Sequence, residues 1–96
     1  MQTKKQARDA YEFCLVLTPT PIAPIRAREA IRQRFLVLAD EIRRELGTVV
    51  EKLVEDSVER GRGKPIIVTV ALGAESIRGE VVDQDDLVPF EIPLRR

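Results

Sequence analysis

The residues that could carry chemistry fall in three clusters and one isolated position. In the stretch EKLVEDSVERGRGKP, from Glu51 to Pro65, Glu51, Lys52, Glu55, Asp56 and Glu59 precede a basic loop in which Gly61 and Gly63 separate Arg60, Arg62 and Lys64. Asp56 could coordinate a hard cation through oxygen, but one carboxylate is a weak site without substrate phosphates to share the ion. The glycine-spaced cations of 60–64 could cradle phosphate through backbone donors and side-chain charge. The third cluster is Asp83, Asp85 and Asp86, which reads as an acidic turn because Asp favours turns. Cys14 stands alone, without a His or a nearby base, so an inert buried thiol is expected rather than a nucleophile. Against the acidic helix as a site stands a plainer reading, a solvated face on which Lys52 and Asp56 form an i,i+4 pair worth about 0.3–0.5 kcal/mol.

Composition narrows the options further. A chain of 96 residues makes one domain, and 4% aromatic content leaves Val, Ile, Leu and Ala to build its core. Sixteen basic and sixteen acidic residues cancel, so no overall field draws the chain to nucleic acid or to an anionic membrane. The absence of His removes the usual general base and zinc ligand, and one Cys permits no intrachain disulfide. No apolar run approaches the roughly 20 residues of a membrane span, which leads to the expectation of a soluble, cytoplasmic protein.

The elements that must position these clusters are legible as periodicities. Residues 1–10 carry no apolar stripe and read as a polar leader, followed by a single domain over 11–96. YEFCLVL, residues 11–17, alternates with period two and predicts a strand; the proline-rich TPTPIAP predicts a surface connection ending in a proline suited to a helix's first turn. Ala27, Ile31, Phe35, Leu38, Ile42 and Leu46 recur at helical spacing and predict one long helix to Leu46, closed by Gly47. Thr48 with Glu51 then predicts a capping box opening a second helix to Arg60, with Val50, Leu53, Val54, Ser57 and Val58 turned inward. IIVTVAL and IRGEVVD predict a β-hairpin around GAES. In the extended segment 87–96, Val88, Phe90, Ile92 and Leu94 alternate against Pro89, Glu91 and Pro93, which predicts an edge strand or an arm.

This order of elements, with KLVEDSVERG at its centre, resembles the ATP-binding anti-sigma regulatory factors of the GHKL, or histidine-kinase-like, ATPase superfamily. In that family a run similar to ELVTNAVRHG supplies a catalytic glutamate and a magnesium-holding asparagine, and a hairpin ends in an Asp-x-Gly turn that receives adenine. The resemblance covers roughly residues 11–85 and implies nucleotide-binding positions at Asp56 and Asp83. It also implies departures: Lys52 stands at the glutamate position, Asp56 at the asparagine, and Asp85 at the turn glycine, and the match ends before the family's lid.

The expectation is therefore an α+β fold, a small antiparallel or mixed sheet with two helices on one face, resembling the N-terminal half of a histidine-kinase-like ATPase domain. The expected function is a non-catalytic protein-interaction module resembling a degenerate anti-sigma factor, without catalytic residues, metal or cofactor. Its partners would be a regulator of transcription and a second copy of itself. Phe13, Leu15, Val68, Val70 and Val81 would face the helices, and Cys14, Val16, Ile67, Ala71 and Val82 the uncovered side. A homodimer is expected because that side is apolar in part and because Val88, Phe90, Ile92 and Leu94 could lie on a neighbour. Two alternatives remain: a GHKL-type ATPase or kinase with a degenerate site, using ATP and magnesium, and a nucleic-acid binder acting through the 60–64 loop.

Overall fold

The computed structural model describes residues 11–60, 63–84 and 86–94, so the leader 1–10, Gly61, Arg62, Asp85 and the last two residues lie outside the described part. Strand β1 (Tyr11–Leu17) is followed by helices α1 (Ala23–Arg34) and α2 (Asp40–Arg60), then by β2 (Ile66–Leu72), β3 (Ser76–Val82) and β4 (Leu87–Pro93). The four strands form one antiparallel sheet in the order β1-β2-β3-β4. Both helices pack on one face of it, which is the α+β arrangement that the periodicities predict.

Alternation within the strands sorts their side chains cleanly. Phe13, Leu17, Ile66, Val68, Val70, Ile77, Val81 and Ile92 are buried beneath the helices. From the helices come Ala27, Ile31, Leu46, Val50 and Val54, and Phe35 from the link between them. An edge-to-face contact between Phe13 and Phe35, with centroids 5.7 Å apart, ties β1 to the end of α1, and the Arg34 guanidinium lies 4.9 Å above the Phe13 ring. Burying an aliphatic side chain of this size contributes about 1.5–3 kcal/mol.

The helix boundary differs from the one predicted. The first helix stops at Arg34, and the second begins at Asp40 and runs through Gly47 without interruption. The apolar stripe misleads because it continues across the break: Phe35 and Leu38 face the same core from the link as Ile31 and Ile42 do from the helices. Only the exposed Leu36 and Val37 mark the link, and neither residue type signals a turn. Gly47 is buried where α1 crosses α2, and a Cβ there would lie 3.1 Å from Arg28 Cγ. Gly47 lies inside the helix and does not terminate it. Thr48 is no cap either, since its hydroxyl donates to the Arg44 carbonyl one turn back at 3.0 Å. At the start of α1, Pro24 occupies the first turn, where its absent donor costs nothing.

The C-terminal segment is a strand of the chain's own sheet, β4 against β3, rather than an arm laid on a neighbour. A proline fits a paired strand only where its missing donor faces outward, so Pro89 and Pro93, which share one side of the backbone, both belong to the outer edge. Among the described residues no helix is long and apolar enough to cross a membrane.

Candidate functional site

Arg60, in the last turn of α2, reaches across to the end of β3. Its Nη2 donates to Asp83 Oδ2 at 3.1 Å and to Ser57 Oγ at 3.0 Å, and its Nε lies 3.1 Å from Asp86 Oδ2. Asp83 is almost wholly buried, and its other oxygen accepts the backbone N–H of Asp86 at 3.1 Å, closing the β3-β4 turn. The helix dipole favours a cation at this terminus, and the turn supplies the carboxylates that hold it. The cluster thus clamps the end of α2 to the sheet. A carboxylate that already accepts from a guanidinium and a backbone amide keeps little capacity to read a ligand's amino group.

Of the two positions that the resemblance implies, Asp83 is buried at the end of β3 and Asp56 lies exposed on α2. Asp56 and Lys52 are both exposed on α2, and no ion pair joins them to each other or to Asp83. Among the described residues no group of three His, Cys, Asp or Glu side chains could hold a metal ion. In the basic loop Lys64 is exposed, but Arg60 is turned inward to Asp83. Of the C-terminal residues, Ile92 belongs to the core and Phe90 and Leu94 pack against it, while Val88 is half-buried opposite Val81.

Among the described residues nothing covers the face of the sheet away from the helices. Register aligns Val16, Ile67, Val82 and Leu87 in one apolar row across all four strands, with Val16 63% and Leu87 56% exposed. Beside it run the rows Cys14, Thr69, Glu80, Pro89 and Glu12, Ala71, Arg78, Glu91. These two rows line a broad concavity of about 890 Å³. Three carboxylates, Glu12, Glu80 and Glu91, outnumber Arg78 there, and among the described residues no ion pair engages any of the four. Cys14 is exposed on this face, not buried as its sequence context suggests, because among the described residues no second layer covers β1 on that side.

Gly79 sits in the cross-sheet row Phe13, Val70, Gly79, Phe90. A Cβ at Gly79 would come within 2.5 Å of Phe90 Cζ and 2.3 Å of the Thr69 carbonyl oxygen, so only glycine fits this close approach. Alternation in the strands predicts the membership of the open face. The Arg60–Asp83 clamp left no signal in sequence, since its partners are 23 residues apart. No protein-family model matches the chain, and comparison with curated proteins and with solved structures found no match.

Proposed function

We propose that the chain is a non-catalytic protein-interaction module acting through the open face of its sheet. The observation that carries this reading is the apolar row Val16, Ile67, Val82, Leu87, with Val16, Ile67 and Leu87 exposed, beside carboxylates that have no ion-pair partner among the described residues. Covering one such aliphatic side chain favours association by up to about 1.5–3 kcal/mol, and a partner's Lys or Arg would complement Glu12, Glu80 and Glu91. The partner is thus a protein surface offering apolar and basic side chains. The anti-sigma resemblance makes a cytoplasmic regulator of transcription the class to look for.

A nucleotide-dependent enzyme is the weaker reading. Lys52 stands where the resemblance would need a base, and Asp83 is engaged by Arg60 and Asp86. The interaction reading is tested by quantitative affinity capture from the host's soluble extract, with the wild-type chain and the Ile67→Asp, Glu80→Lys and Glu55→Lys variants as baits. A protein held by wild type and by Glu55→Lys, and reduced at least tenfold with both open-face variants, is the expected result. Equal capture by all four baits would overturn the assignment of the face.

A further inference from the structure

The two edges of the sheet differ in what they offer. On the β4 edge, Pro89 and Pro93 remove two outward donors, which blunts that edge against strand addition. The β1 edge has no proline between Tyr11 and Leu17, and among the described residues it pairs with β2 on one side only. A groove of about 720 Å³ runs beside the second half of β1, between Leu15, Val16 and Leu17 and the α1 residues Arg26, Glu29 and Gln33. Leu15, on the helix side, remains half-exposed there.

We propose that β1 pairs antiparallel with β1 of a second copy, joining two sheets into one of eight strands about a two-fold axis. Three features select a second copy as the occupant. Cys14 is the midpoint of Tyr11–Leu17, so full overlap of the strand with itself places Cys14 opposite Cys14 of the other copy. In that register Phe13 faces Leu15 of the second copy on the helix side, which covers the half-exposed leucine, and Glu12 faces Val16 on the open side with no like charges opposed. The groove wall on α1 carries one cation and one anion, Arg26 and Glu29, neither in an ion pair among the described residues. An antiparallel crossing of α1 with its copy brings Arg26 toward Glu29 of the other chain, so the wall is self-complementary in charge. The open faces stay uncovered and run together across the axis. This goes beyond the interaction reading and does not depend on the identity of any other partner.

The test uses the full chain in sedimentation velocity over a dilution series, with mild oxidation of Cys14 in parallel. Directly opposed residues in an antiparallel pair have Cα atoms about 4.5–5.5 Å apart, within the span of a disulfide, so oxidation should convert the dimer to a covalent one. Val16→Glu should weaken the dimer and Val16→Lys tighten it, each by about 2- to 30-fold, because each acts in two symmetry-related pairs with Glu12. A change in fold would move both variants the same way. A chain monomeric at about 100 μM overturns the proposal, and so does a dimer that neither cross-links at Cys14 nor separates the two Val16 variants. A monomer that still captures a partner through Ile67 and Glu80 would leave the open-face reading standing.

Discussion

Arg60 and Asp83 are joined across the boundary between the helical layer and the sheet, the Nη2 donor 3.1 Å from the Oδ2 acceptor. Asp83 is nearly inaccessible, whereas the Arg60 side chain keeps 30% exposure. Removing one member of such a pair leaves the other without its partner, and the partly exposed arginine recovers some hydration. Arg60→Ala, which takes the guanidinium from a buried carboxylate, should therefore cost about 2–3 kcal/mol in urea denaturation, Asp83→Ala about 1–2, and the double variant less than their sum. Asp56→Ala, on the exposed face of α2, should change stability by less than about 0.5 kcal/mol. Equal losses for Asp56 and Asp83 would contradict the clamp.

Gly47 separates two accounts of the helical layer by the sign of one substitution. As a helix terminator in the left-handed region it would tolerate Ala poorly; in the interior of α2, Ala gains about 1 kcal/mol of helix propensity. The new Cβ meets only the Arg28 stem at 3.1 Å, and that side chain, 42% exposed and paired with Glu51 at its tip, can shift. Gly47→Ala should leave the thermal midpoint unchanged or raise it by a few degrees. A clear loss would restore the break at Gly47.

Gly79 is predicted to behave in the opposite way. Its Cβ would collide with a backbone carbonyl on one side and the Phe90 ring on the other, and the carbonyl cannot rotate away. Gly79→Ala should cost about 2 kcal/mol or more, read in denaturant melts. Phe90→Ala in the same background should not restore the loss, because the Thr69 contact remains.

Period-two alternation assigned Phe13, Val68, Val70 and Val81 to the covered face and Val16, Ile67 and Val82 to the open one, because alternation is a local consequence of strand geometry. The inner stripe of α2, with Val50, Val54 and Ser57 buried, was legible for the same reason. The break at Phe35–Ala39 was not, since a link that keeps its apolar residues in helical phase is indistinguishable by spacing from a helix. The engagement of Asp83 depends on where α2 ends relative to the sheet, a tertiary fact that no local pattern encodes. Resemblance alone marked that position as a ligand contact.

If Asp83 is occupied by Arg60 and Lys52 supplies no base, magnesium-ATP should give no saturable heat in titration calorimetry below about 1 mM, equivalent to roughly 4.1 kcal/mol. Saturable binding in the micromolar range would return the nucleotide reading to first place.

The claim that the open face is the functional surface is tested most directly by site-specific photo-cross-linking in the host. A benzophenone side chain is introduced at Ile67, in the centre of the exposed apolar row, or at Asp56, on the exposed face of α2. The account predicts one discrete heterologous adduct from position 67 and none from position 56. An adduct from position 56 with none from position 67 would contradict it and place function on the helical layer.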